Sequence, residues 1–266
     1  MSHALQAVGW TPFKKRYDLV LIAVVVAYLV TFVGVGLVRF PLITFEILLI
    51  RAFGTAAILL LHFILWIGPL ARMDRRWLPV LANRRHLGVT CFLLALIHAV
   101  LVVLTYHAGG LMNPIVSIFV SDAGLRFTAF PFQAFGFGAL LILFAMAATS
   151  HDFWLSVLTA PVWKTLHMLV YVAWLLLIVH VVFGVLQSEI HVVYAVLTGL
   201  AIAVTGVLHL RSGLAERGAD RSHDGVADAD GFVDVCGVND LEDGVAHAVS
   251  LSGDRVAVVR FDGDRV

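Results

Sequence analysis

The chain has 266 residues, of which 61% are hydrophobic and 14% charged, with Lys+Arg and Asp+Glu equal at 18 each. A mean hydropathy of +0.95 lies outside the range of soluble globular domains, so a water-soluble fold is excluded and a polytopic membrane protein expected. The balanced charge leaves no basic excess, and nucleic acid is not an expected partner.

Runs of about 20 apolar residues, the length that crosses ~30 Å of hydrocarbon, occur at 19–38, 45–70, 87–106, 130–149, 165–186 and 190–210. They predict an all-α membrane protein, a six-span transmembrane helical bundle with both termini on one side. The first run is too long for a cleaved signal peptide and no small-residue cleavage site follows it. Arginine and lysine load the same side of alternate spans: Lys14, Lys15 and Arg16, then Arg72, Arg75, Arg76, Arg84 and Arg85, then Arg211 and Arg217. The opposite loops hold Arg39, Arg51 and Arg126. The bias predicts a multi-pass protein of the inner (plasma) membrane with cytoplasmic N- and C-termini, and the arginine pairs of the loop at 71–85 are read as that topology signal. The outer loop at 108–126 carries an apolar stretch around Asn113-Pro114, expected to lie in the interface as a short helix.

Four histidines stand in the apolar runs in two pairs. His86 and His98 are 12 positions apart and His167 and His180 are 13 apart. At ~1.5 Å per residue the second of each pair lies about 18 to 20 Å above the first, so two parallel helices present histidines at two matching heights. Imidazole within a bilayer is costly and functional by default, and it is a favoured axial ligand of haem iron. Two levels of facing histidines point to two stacked haems. At ~100° per residue the two spacings turn the side chain by roughly 120° and 140°, so height is specified and azimuth is not. His62 is ambiguous between a haem contact, a helix contact and a substitute for His86. His107, His151, His191 and His209 sit at span ends and are left out of the site. Arg51 and Glu46 are read as snorkelling to the interface, and Trp163, Tyr171 and Trp174 as packing or belt residues.

Beyond residue 210 the composition changes. Residues 1–211 form the membrane domain, 212–230 read as a flexible linker rich in Gly, Asp, Arg and Ser, and 231–266 as an incomplete cytoplasmic β segment. Period-two patterning marks strands at 232–238, 247–251 and 255–261, punctuated by Asp243-Gly244, Ser252-Gly253-Asp254 and Asp262-Gly263-Asp264. So short a segment has no self-standing core, and the domain is expected to continue beyond Val266. The two cysteines, Cys91 in the third run and Cys236 in the tail, make neither a disulfide framework nor a zinc site.

The stretch Arg84-Arg85-His86-Leu87-Gly88, then Ala95-Leu-Ile-His98, with Trp163-Lys-Thr-Leu-His167 and Val179-His180, resembles the ferric-reductase-like transmembrane family over about residues 45–188. The resemblance implies a bundle carrying electrons through b-type haems between its third and fifth spans. Carried over to this chain, His98 and His180 hold the outer haem, and His86 and His167 the inner one. The tail, with Phe232-Val-Asp-Val-Cys-Gly-Val238 and then Val256-Ala-Val-Val-Arg-Phe-Asp-Gly263, is similar to the first strands of Rieske-type ferredoxin domains. That family binds a [2Fe-2S] cluster through two Cys and two His. Cys236 has no histidine at the family's offset, so a cluster is expected only if the chain continues.

The expected function is transmembrane electron transfer through b-type haems held by paired histidines. The expected redox partner is a Rieske domain, a separate cytoplasmic or periplasmic protein, or a quinone. No Gly-x-Gly-x-x-Gly fingerprint accompanies the bundle. The rival readings are a histidine-lined cation or proton transporter, disfavoured because the span-adjacent acids Glu46 and Glu189 lie near the outer edge, and a haem-free membrane anchor, which has no need of paired interior histidines.

Overall fold

The computed structural model describes residues 12–120, 131–184, 186, 192–221, 233–244, 246–251 and 254–260. Its first helix, α1, runs Pro12–Arg39 and its second, α2, Phe45–Met73. Thr44 starts α2 by accepting the Ile47 N–H on its side-chain oxygen at 3.4 Å, which satisfies one of the donors a helix start leaves open. A short turn and α3 (Leu78–Ala82) lead to α4 (Arg84–Val102), which ends in one wide π turn at Val103–His107. The short helix expected in the outer loop is α5, Pro114–Ser117, with the Asn113 side chain accepting the Ile115 N–H and proline in the first turn.

After residues 121–130 come α6 (Phe132–Ala148), α7 (Asp152–Val157), α8 (Ala160–Met168), α9 (Val170–Phe183) and α10 (Val192–Arg221). Among the described residues, five helical stretches are long and apolar enough to cross a membrane: Pro12–Arg39, Phe45–Met73, Arg84–His107, Ala160–Phe183 and Val192–Arg217. The expected fourth span is the shorter apolar helix Phe132–Ala148. Where six spans were expected, the described residues show five stretches of full span length and the shorter apolar helix α6. The fifth run is also not one uniform helix. It breaks at Leu169 into α8 and α9, with the Leu169 N–H bonded to the Leu166 carbonyl three residues back.

The bundle is assembled from helix pairs. α2 lies along α4 and α6 along α9; α4 joins the two pairs by packing on α6, and α1 flanks α2. At the seam Leu61, Cys91, Ala139, Leu143 and Ala173 are buried. Small residues dominate because lipid gives helices no hydrophobic reason to associate, so packing depends on close backbone approach. The Cys91 Sγ–H donates to the Ala57 carbonyl at 3.4 Å. Polar bonds also join helices elsewhere, among them Tyr28 OH to Thr55 Oγ1 at 2.9 Å between α1 and α2, and Trp66 Nε1–H to Thr205 Oγ1 at 2.8 Å between α2 and α10.

The chain divides into two compact units at 205/206. α10 continues to Arg221, so the first part of the stretch expected as linker is helical. Its Leu214-Ala-Glu-Arg217 run is made of good helix formers, which outweigh the flanking glycines. The rest of the expected linker, 222–230, and the turn expected at 262–264 lie outside the described residues. In the tail, β1 (Ala246–Leu251) and β2 (Asp254–Val259) form an antiparallel hairpin with Val249 opposite Val256. The strand expected at 232–238 does not form among the described residues. Val238–Asp240 is a turn instead, with the Asp240 carboxylate accepting the Gly237 N–H at 3.2 Å. This local side-chain bond competes with a strand ladder.

Burial separates the two thiols. Cys91 is 1% exposed, whereas Cys236 is only partly covered. A maleimide reagent added to the folded, detergent-solubilised protein should label Cys236 alone, and both cysteines after denaturation. Mass spectrometry of the labelled peptides reads the outcome.

Candidate metal centre

The four histidines of the sequence pairs share one hydrogen-bonding arrangement. His98 Nδ1 lies 2.9 Å from the Ile50 carbonyl on α2, and His180 Nδ1 lies 2.9 Å from the Phe132 carbonyl on α6. His167 Nδ1 lies 3.0 Å from the Trp163 carbonyl in its own helix. His86 Nδ1 meets the Asp18 carboxylate on α1. A carbonyl oxygen only accepts, and so does an ionised carboxylate, so in each case Nδ1 carries the hydrogen and a neutral ring keeps its lone pair on Nε2. An imidazole whose one N–H is tied to an oxygen and whose other nitrogen is a lone pair is the form in which histidine ligates metals.

At the outer level the structure brings the expected pair together. The rings of His98 and His180 are 6.4 Å apart between centroids, with their planes at 84°. With a metal–nitrogen bond of ~2.0 Å and about 1.1 Å from nitrogen to ring centre, two imidazoles that shared one ion from opposite sides would have centroids about 6.2 Å apart. The observed spacing matches. Each ring also sits over a glycine: a Cβ on Gly54 would fall 2.8 Å from His98 Nδ1, and one on Gly136 would fall 2.8 Å from His180. Neither position has room for a side chain.

These two glycines and two carbonyls were missed from the sequence, although a signal for them exists. Ala-Phe-Gly occurs at 52–54 and again at 134–136, and the same 82-residue offset separates Gly54 from Gly136, Ile50 from Phe132 and His98 from His180. The offset also relates Leu61 to Leu143 and Cys91 to Ala173 in the buried seam, and the prolines that open α3 and α8. The pair α2/α4 and the pair α6/α9 are thus two copies of one unit, and the outer histidines meet where the copies face each other.

At the inner level the arrangement is less regular. His86 packs edge-on against Tyr17, at 6.2 Å, beside its bond to Asp18. His167 stacks on the Trp163 indole, with centroids 3.9 Å apart and planes at 27°. Arg84 and Arg85 of α4 and the Met146 backbone of α6 lie within electrostatic reach of His167, which places the α8 histidine beside the inner end of α4. No contact between His86 and His167 is recorded among the described residues.

His62 is resolved as structural. Its Nδ1–H donates to the Ile58 carbonyl at 2.8 Å, and its Nε2 accepts the Trp174 Nε1–H at 3.1 Å, so no lone pair remains for a metal. His107, omitted from the sequence-derived site, is buried with its Nδ1–H donated to Ser117 Oγ, which itself donates to the Pro114 carbonyl.

The chemistry of the outer pair fits haem: two imidazoles with centroids 6.4 Å apart, each with Nδ1 tied to a carbonyl and its ring over a glycine, leave two Nε2 lone pairs that would serve as a bis-histidine donor set. An iron–sulfur cluster does not fit the tail. Among the described residues no group of three or more His, Cys, Asp or Glu could hold a metal ion, and Cys236 is the tail's one cysteine.

A membrane-spanning helical protein built around an opposed histidine pair is the class these observations define. Residues 53–178 match the family described as ferric reductase like transmembrane component, to which this part of the chain is similar. No curated protein and no solved structure matches the chain.

The glycine seats make a sharp test. Gly54→Ala and Gly136→Ala should each displace a ring and destabilise the bundle by about 1–3 kcal/mol, the usual range for overpacking a filled site. Gly138→Ala, whose Cβ would meet only Leu176 at 3.6 Å, should be near neutral. Thermal unfolding in detergent compares the three.

Proposed function

We propose that the protein carries electrons across a membrane through b-type haem held by its paired histidines. The observation that carries this reading is the outer pair: His98 and His180, on symmetry-related helices, opposed at 6.4 Å with both Nδ1–H groups committed to carbonyls. His86 and His167 would hold a second haem one level inward, each again with its Nδ1–H tied to an oxygen. Haem held by these histidines would supply one-electron redox chemistry.

The protein's own residues do the holding. The Ile50 and Phe132 carbonyls fix the tautomer and raise the basicity of the two imidazoles. Gly54 and Gly136 let the histidine-bearing helices approach closely enough for those bonds to form. The seam of Leu61, Cys91, Leu143 and Ala173 excludes water between the two levels. No side chain makes or breaks a covalent bond, which suits outer-sphere transfer.

In this reading α6 completes six crossings, and the arginine-rich ends of α2 and α4 face the cytoplasm together with both termini. Electrons pass between a redox partner or quinone on one side and an acceptor on the other.

Two measurements test the proposal. A reduced-minus-oxidised spectrum of the purified chain should show the sharp α-band of low-spin b haem. His98→Ala or His180→Ala should each remove one haem at unchanged expression, while His62→Phe should retain full haem content. A spectrum without the band, from cells supplied with haem, would contradict electron transfer and leave the transporter and anchor readings. For topology, a reporter fused after Leu210 should be active only in a cytoplasmic assay.

A further inference from the structure

The two outer imidazoles are each fixed by a neighbouring helix, through its carbonyl and its glycine. His167 is fixed by another device. Its Nδ1–H goes to the carbonyl of Trp163, four residues back in α8, and its ring face lies on the Trp163 indole at 3.9 Å. The indole is itself anchored, because its Nε1–H donates to the Thr149 carbonyl at the end of α6, at 3.0 Å. One residue therefore holds the ring by two routes, its backbone oxygen fixing Nδ1 and its pinned side chain covering the face.

Two features show that the tryptophan is more than filler. The position 82 residues earlier in the repeat is Leu81, so the shared architecture is built without an aromatic ring at this place. The start of α8 is also set for it: Thr159 adopts φ 55°, a left-handed conformation rare for a β-branched residue, and its carbonyl accepts the Trp163 N–H at 3.1 Å. The local backbone is bent into a costly conformation at the point that aims Trp163 back toward Thr149 and His167.

We propose that Trp163 is the positioning residue of His167: the pinned indole stops the imidazole from turning about its Cβ–Cγ bond and so holds the Nε2 lone pair in a single direction. Any residue at 163 supplies the carbonyl. Only a flat, anchored ring supplies the clamp, and its electron-rich face lies directly against the ligand ring. The inference rests on the reading of His167 as a haem ligand.

The test is a redox titration of the full-length, haem-loaded protein in detergent, with electron paramagnetic resonance of the oxidised form. The wild type should show two reduction steps, one abolished by His98→Ala and the other by His167→Ala. Trp163→Leu should shift the reduction equilibrium of the His167 step at least threefold and broaden its low-spin signal, with the His98/His180 step unmoved. Trp163→Phe keeps a ring but loses the bond to Thr149, and should give a smaller shift confined to the same step. If both variants leave the His167 step unchanged, or if either moves both steps equally, Trp163 does not position His167. Should the leucine variant fail to fold, the phenylalanine variant decides by the same criteria. A wild type without a second step, or with one that survives His167→Ala, overturns the inner histidine pair itself, whatever Trp163 does.

Discussion

A histidine inside a bilayer has two nitrogens to satisfy and no water to satisfy them, and this constraint organises the bundle. One nitrogen must give its hydrogen to an oxygen, and in hydrocarbon the oxygens within reach are backbone carbonyls of helices, which are already engaged along their own axes. The Ile50 and Phe132 carbonyls lie near the starts of α2 and α6 and accept from His98 and His180 across the helix interface. Reaching them demands close approach, and close approach demands glycine at 54 and 136, one turn further along each helix. The second nitrogen is left with a lone pair directed away from the carbonyl. From a requirement about hydrogen bonds follow the helix pairing, the glycine positions and a ligand-ready ring.

Meeting that requirement twice, by the same means, makes the outer level symmetric. The repeat also exposes where the two halves differ. On one side of the seam Phe92 packs against Phe144 at 5.8 Å; the positions related by the repeat are Trp174 and His62, at 6.2 Å and joined by a hydrogen bond. The layer is apolar in one half and polar in the other, and both fill the space. At the inner level the halves diverge further, since His167 corresponds to Arg85 and Met168 to His86. Under the proposed function, matched residues at the outer level and unmatched residues at the inner one would give the two haems different electrostatic surroundings, and haem potential follows axial ligation and such surroundings.

Much of this was legible in the amino acids. Hydropathy alone marked the membrane class, and the apolar runs located α2, α4 and α6 to within a few residues, whereas α1 starts seven residues before its run and α10 continues eleven residues past its own. The meeting of His98 and His180 agrees with the matching heights expected from helical rise, and the resemblance carried by Arg84 to His98 and Trp163 to His180 agrees with the family matched at 53–178. Azimuth was not legible, because it depends on features that periodicity does not encode: the break at Leu169, between His167 and His180, changes the angular register of that pair. The glycine seats escaped because a glycine in a membrane helix has several roles, and its meaning appears only when an opposing ring is in place. His62 was ambiguous until Trp174, far away in sequence, proved to occupy its second nitrogen. In the tail, period-two patterning marked β1 and β2 but also marked 232–238, where the Asp240 side chain captures the Gly237 amide and turns the chain instead.

The central claim is that His98 and His180 face one iron from opposite sides through their Nε2 atoms. Growing the protein with 15N-labelled histidine and recording electron–nuclear double resonance on the oxidised, low-spin signal measures this directly. The account predicts two strongly coupled 15N histidine nitrogens on the axis of the outer haem, and a loss of that signal in His98→Ala and in His180→Ala alike. A high-spin iron, a single coupled histidine, or two couplings that persist in either variant would contradict it.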